Sequence, residues 1–140
     1  MYLLDTDHLT VFQRGGVESQ RLRHRLQSVA SAQVATTVVS YEEQTRGWLS
    51  YIAQVRSLEE QVTVYGYLQR HIQLFLTIPL LGFDLAAATQ VRQLQQQRIR
   101  IGTMDLKIAS IALTQGAILL TRNSQDFQKV PGLQIEDWTA

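Results

Sequence analysis

The stretch GTMDLKIASIALTQGAILLT, residues 102–121, decides the architecture. Gly102-Thr103 precedes a proline-free helical run, and Gly116 stops it. Residues 117–121, AILLT, then form a continuous apolar strand. Asp105 sits in the first turn of the helix, and the turns above it carry Ala109 and Ala112, small residues that let another backbone come close. A helix handed through one glycine to a buried strand is half of an α/β unit. The question is whether the rest of the chain repeats it.

Upstream it does. Residues 2–5 read as a short buried strand, and Asp7 as the cap of a helix that runs to about Arg14 and ends at Gly15-Gly16. A second helix is expected over 17–31, with Leu22, Leu26, Val29 and Ala30 as its apolar stripe. VATT, residues 34–37, is a strand. Tyr41, Thr45, Trp48 and Ile52 recur at helical spacing. Leu58, Val62, Tyr65, Leu68, Ile72, Phe75 and Leu76 give a long amphipathic helix. IPLLGF (78–83) reads as the third strand, Asp84 caps the helix that follows, and LQIED (133–137) reads as an edge strand. Strands alternating with helices, without hairpin signals, predict one α/β domain over 1–140 around a mostly parallel sheet.

The composition excludes several classes. The chain has 140 residues and 45% hydrophobic content, enough for one domain with a core. It has no cysteine, hence no disulfide framework, thiolate zinc site or thiol nucleophile. No basic-then-apolar leader opens it, and the most apolar run, residues 72–83, is too short for a bilayer and contains Pro79. A cytoplasmic protein without a membrane segment is the expectation. Net charge is +1, but eleven of the thirteen basic residues are Arg, the side chain that forks onto phosphate. If several of the twelve acids gather in one site, the remaining surface is more basic than the net figure.

The acids are arranged for such a site. In open parallel sheets ligands bind at the carboxyl ends of strands. Asp5 ends the first strand, Thr121-Arg122-Asn123 follows the strand 117–121, Asp126 lies just beyond, and Glu42 and Glu43 stand early in the helix after the second strand. Hard oxygen donors of this kind suit Mg²⁺ or Mn²⁺. Some of these acids have simpler roles. Asp84 and Asp7 read as caps, and Glu42 and Glu43 both also read as solvated residues, with Glu42 spaced to pair with Arg46 at i,i+4. Asp5 follows a buried strand directly and has no helix turn of its own to cap. His8, His24 and His71 lack metal-ligand spacing and read as surface or capping residues. There is no glycine-rich phosphate loop and no nucleophile elbow.

Taken together, YLLDTDHLT (2–10), VVSYEEQTRGWL (38–49) and IGTMDLKIASIALTQGAILLTRNSQDFQKVPGL (101–133) resemble the PIN-domain ribonucleases, in particular the VapC-type toxins of toxin–antitoxin pairs. The likeness spans nearly the whole chain, and its third segment is the most specific. It implies Asp5 as the first metal-binding acid and Glu43, four residues before Gly47, as the second. Asp105 is the third. Asp126, with Asn123 beside it, is the fourth. Thr6 and Thr121 match positions that orient the site by hydrogen bonds. Asp7 stands where the family commonly has Asn, and Gln44 where it has Leu. Helical phase alone does not choose between Glu42 and Glu43.

The resemblance further implies one or two Mg²⁺ or Mn²⁺ ions, an RNA substrate, a cognate antitoxin whose tail covers the acidic groove, and a homodimer. Arg14, Arg46, Arg98, Arg100 and Arg122 are the candidates for phosphate contacts. Two other readings compete. In a haloacid-dehalogenase-like phosphatase Asp5 would be the nucleophile and Asp7 the acid/base, but that class continues with Gly-Thr-Leu where His8-Leu9 stands here. A non-catalytic PIN-like binding module would not need the full set of acids.

Overall fold

The computed structural model describes residues 1–140. Five short strands form one parallel sheet: β1 (Tyr2–Leu4), β2 (Val34–Thr37), β3 (Leu80–Leu81), β4 (Ile118–Leu120) and β5 (Ile135–Glu136), in the order β3-β2-β1-β4-β5. Seven helices surround it: α1 (Thr6–Arg14), α2 (Val17–Gln27), α3 (Val38–Gln54), α4 (Leu58–Thr77), α5 (Leu85–Gln96), α6 (Thr103–Gln115) and the single turn α7 (Ser124–Phe127). The chain winds outward from β1 to β3, then crosses back over β1 to lay down β4 and β5. The strand order therefore reverses between β1 and β4, and the crevice at a parallel sheet's ligand-binding edge opens there.

Alternation along the central strands divides the core in two. Leu3 pairs in register with Ala35 and Leu119, and all three point to one face. There they meet Val39 of α3, Ala87 and Leu94 of α5, Ile108 and Ala112 of α6, and Phe127 of α7. Leu4, Val34 and Leu120 point to the other face, onto Leu9 and Val11 of α1, Leu22 of α2 and Trp138. Burying each such leucine contributes roughly 1.5–3 kcal/mol relative to leaving it in water. The expectation for 102–121 is met in detail. Ala109 and Ala112 are fully buried where α6 packs on the sheet and α5, and Gly116 takes the left-handed cap with φ +61°.

Several local expectations are corrected. The third strand is only Leu80–Leu81, because β2 offers it two register partners and no more. Helix α2 stops at Gln27, four residues early, where the Ser28 N–H and hydroxyl both turn back onto the Arg25 carbonyl. Asp5, not Asp7, is the N-cap of α1, its carboxylate accepting the His8 N–H at 2.7 Å. His8 and His71 are buried, not on the surface. The His8 Nε2 accepts the Trp138 N–H and holds the C-terminal segment against α1. His71 bonds Thr45 through Nε2 at 2.8 Å and sits among Tyr41 and Phe75.

Helix α4 carries two seams where the sequence suggests one. Val64, Leu68, His71 and Phe75 face the protein, whereas Leu58, Val62, Tyr65, Ile72 and Leu76 are exposed, Leu76 by 80%.

Candidate active site

Four acids approach one another at the switch point. Asp5 is carried there by β1: its backbone N–H bonds the Leu120 carbonyl of β4 at 3.1 Å, which extends the ladder by one residue and seats the carboxylate at the end of the strand. Only 5% of Asp5 is exposed. Glu43 comes from the second turn of α3, whose start is fixed by Thr37 accepting the Ser40 N–H. The Thr6 hydroxyl donates to Glu43 Oε1 at 2.5 Å and lies 3.1 Å from Ser40 Oγ, so α1 and α3 are clasped at the site.

Asp105 stands in the first turn of α6, which runs antiparallel to β4 and so starts at the carboxyl edge. Asp126 lies on α7. The Asn123 side chain caps that turn by accepting the Asp126 N–H and donates Nδ2–H to Asp126 Oδ2 at 3.1 Å. Thr121, buried at the end of β4, accepts the Asn123 N–H at 2.9 Å and sets the bend.

The electrostatics tie the four together. Burial pushes the Asp105 carboxyl up to about 6, and the charges of Glu43, Asp5 and Asp126 push in the same direction. A carboxyl that feels three other carboxylates through a partly desolvated cleft is at the centre of a like-charge cluster. The four carboxylates are hard oxygen donors that suit a divalent cation, and the imidazole nitrogen beside them, His8 Nδ1, lies 3.6 Å from Asp5 Oδ1 with no hydrogen-bond partner of its own. A cation would also relieve the repulsion felt by Asp105. In the rotamers seen here no three of these side chains converge as a ready-made ligand group. Glu43 is held by Thr6, and Asp126 by Asn123 and Lys129 (3.5 Å). Loading would exchange some of these bonds for metal contacts.

The other acids are elsewhere. Glu42 pairs with Arg46 one turn along α3, which leaves Glu43 as the glutamate that accepts from Thr6 and whose charge Asp105 feels. Asp7 is gripped bidentately by Arg122, at 2.5 and 2.9 Å, and Arg122 also reaches Glu18 at 2.8 Å. The hydrogen bond from Arg122 holds Asp7 below the usual carboxylate range, against the opposing effect of burial. Arg122 is thereby a strut between β4, α1 and α2 and is not free for a phosphate. Arg98 and Arg100 are exposed in the α5–α6 connection. Ser40, fully buried between Thr6 and Thr37, is a site residue that sequence reasoning missed. Its only local signal is the Thr-x-x-Ser spacing of the cap. The turn α7 was also missed, being four residues long and read as loop.

A parallel five-stranded α/β domain with carboxylates gathered at its β1/β4 switch point has PIN-domain architecture. No family model matches the chain. It is 28% identical over 135 residues to ribonuclease VapC1 of Rickettsia felis, covering 95% of this chain and 92% of that one. It is 26% identical over 141 residues to the tRNA(fMet)-specific endonuclease VapC of Salmonella typhimurium, covering 98% and 97%. Its fold matches a chain of the VapBC-1 structure from nontypeable Haemophilus influenzae with a TM-score of 0.76 and 22% identity, over 99% of this chain and 98% of that one. The chain is thus similar over nearly its whole length to VapC ribonucleases, and it shares the fold of a VapBC structure.

Proposed function

We propose that this chain is an endoribonuclease, the toxin of a toxin–antitoxin pair, and that Asp5, Glu43, Asp105 and Asp126 form its metal-dependent active site. The observation that carries the reading is Asp105, raised by burial and by the three other acids at the switch point. The curated relatives are named as ribonucleases, and the structural neighbours include toxin–antitoxin complexes, which supports a cognate antitoxin as partner. Mg²⁺ or Mn²⁺ held by the four carboxylates would supply the positive charge that makes a water nucleophilic and stabilises the leaving oxygen of a phosphodiester. The chain's own residues do the positioning. Thr6 aims Glu43, Asn123 aims Asp126, and the N-cap bond to His8 fixes Asp5. No side chain is required as nucleophile.

The phosphatase alternative needs Asp7 as a proton donor near neutrality. Arg122 keeps it ionised and turned away. Cleavage of RNA should require Mg²⁺ or Mn²⁺, stop with EDTA, and be lost in Asp5→Asn, which keeps the helix cap because Asn also accepts at that position. Asp7→Asn should change cleavage less than about threefold. Full activity of Asp5→Asn, or an aspartyl-phosphate trapped on Asp5, would overturn the assignment.

The family resemblance also implies a homodimer, and the outer seam of α4 is where we place it. Leu58, Val62, Tyr65, Gln69, Ile72 and Leu76 follow a 4-3-4-3-4 spacing, a coiled-coil seam with one polar position and no charge. Light scattering should give a dimer for the native chain and a monomer for the Ile72→Asp, Leu76→Asp double variant. A native monomer, or a dimer that survives the double change, would remove this interface.

A further inference from the structure

His8 is the imidazole beside the acidic cluster, and neither the cap of α1 nor the core accounts for its ring. The side chain is fully buried between Asp5, at the end of β1, and the C-terminal segment that follows β5. An aliphatic side chain would fill that space without burying two polar nitrogens. The two nitrogens face different partners. Nε2 accepts the Trp138 N–H at 3.2 Å, whereas Nδ1 lies 3.6 Å from Asp5 Oδ1.

The first contact decides where the ring proton sits. A backbone N–H can only donate, so Nε2 meets it with a lone pair and the proton is on Nδ1. The other neighbour of Nε2 does not reverse this. Asp137 Oδ1 also lies 3.6 Å from Nε2, but it already accepts the Thr139 N–H at 2.8 Å and the Thr139 hydroxyl at 2.6 Å. Trp138 is itself clamped. Its ring lies 4.6 Å from that of Tyr2 and 4.7 Å from the Arg25 guanidinium, and its indole N–H donates to Glu136 at 2.6 Å. A residue 130 positions away therefore sets the tautomer of His8.

With its proton on Nδ1, the ring turns a donor toward Asp5. Asp5 Oδ1 accepts the backbone N–H of His8 at 2.7 Å and faces the ring N–H of the same residue. At 3.6 Å the second contact is an electrostatic attraction short of a hydrogen bond. Nδ1 has no other partner, and a buried N–H without an acceptor is costly enough to need a reason. The reason is the carboxylate beside it. Both donors point at one oxygen, while Oδ2 has no protein partner and is left to the cleft.

We infer that His8 is a positioning residue of the active site: its Nδ1–H, fixed in that tautomer by the Trp138 N–H, holds Asp5 Oδ1 inward and leaves Oδ2 free for the divalent cation. The C-terminal segment thereby becomes part of the scaffold of the site. Groups that orient a metal-binding side chain from behind are typically worth about 10- to 100-fold in metal affinity. The inference rests on the metal-dependent ribonuclease reading and extends it to what aims its most buried acid.

Two measurements test it, the first without any change to His8. Proton–nitrogen correlation of the His8 ring in the metal-free native chain should place the proton on Nδ1 and none on Nε2. The Nδ1 resonance should move in Asp5→Asn. A proton on Nε2, or an unmoved Nδ1, overturns the inference even if every His8 variant fails to fold. The second measurement is Mn²⁺ affinity without RNA, read from water-proton relaxation. His8→Gln keeps an acceptor that reaches toward Trp138 but withdraws the donor from Asp5, and should lose roughly 10- to 100-fold in affinity. His8→Asn keeps an N–H at the Nδ1 position and should recover most of it. In cleavage the loss should appear in kcat and not in the KM for RNA. A ring that only anchors the C-terminal segment gives the opposite order, with Gln the better replacement, and the inference falls. If Asp5→Asn loses Mn²⁺ while both His8 variants bind it as the native chain does, the inference falls and the metal site stands. If the native chain binds no Mn²⁺, or Asp5→Asn binds it equally well, both readings fall.

Discussion

Replacing Asp105 by Asn is expected to lower RNA cleavage at least about a hundredfold while leaving the metal-free protein as stable as before or more so. The two halves of this result have one cause. Asp105 is the acid at the centre of the cluster, raised to about 6 by burial and by Glu43, Asp5 and Asp126. On the proposed function Asp105 would hold the catalytic ion, and losing it should cost more than the 10–100-fold typical of losing a residue that merely supports a ligand. The same carboxylate is a burden on the apo fold. Its folded-state value lies above the ordinary 3.8, so the folded chain binds the proton more tightly than the unfolded one. Stability therefore falls as pH rises from about 4 to about 6, and the penalty is fully present above that range.

Melting in EDTA should show the Asp105→Asn protein gaining on the native chain at pH 7.5 and losing that advantage by pH 4. Added Mg²⁺ or Mn²⁺ should raise Tm in the native chain at pH 7.5 and have little effect in the variant. Equal responses to metal in both proteins would show that Asp105 holds no ion, whatever happens to cleavage.

Phe127→Ala is expected to destabilise the fold by about 3–5 kcal/mol, read as a lower urea midpoint with an unchanged slope. The Phe127 ring is 1% exposed and packs into the larger core with Val130, Leu119 and the α6 side chains. It also anchors the four-residue turn that carries Asp126, whose carboxylate is otherwise held by Asn123 and Lys129. Cleavage measured where the variant is still folded should thus fall as well, because one end of the carboxylate set is no longer held. Phe127→Leu, which keeps an apolar side chain in the place, should recover most of both quantities. A variant with native stability would mean that α7 is not fastened by this ring.

What could be read from the chain was whatever depends on neighbours in sequence. The strand after Gly116, the caps at Asp84 and Gly116, and the run of helices came from periodicity and turn chemistry, which act over a few residues. The acids at strand ends and helix starts followed from the same local pattern, because a parallel sheet brings those ends to one edge. Asp5, singled out as an acid with no helix turn to cap, does cap α1, a role first assigned to Asp7.

The contacts that separate equivalent-looking residues are long-range, and only the tertiary structure could decide them. Thr6 finds Glu43 across 37 positions and so distinguishes it from Glu42. Arg122 finds Asp7 across 115 positions, which turns a residue of phosphatase appearance into half of a structural clasp. Helix α4 looked like one apolar stripe because its inner and outer seams are adjacent on the helical wheel; packing against α3 covers one and leaves the other exposed. Sequence determined the elements and gathered the acids at one edge. The order β3-β2-β1-β4-β5 chose among them, since a side chain's partner depends on which distant segment the sheet sets beside it.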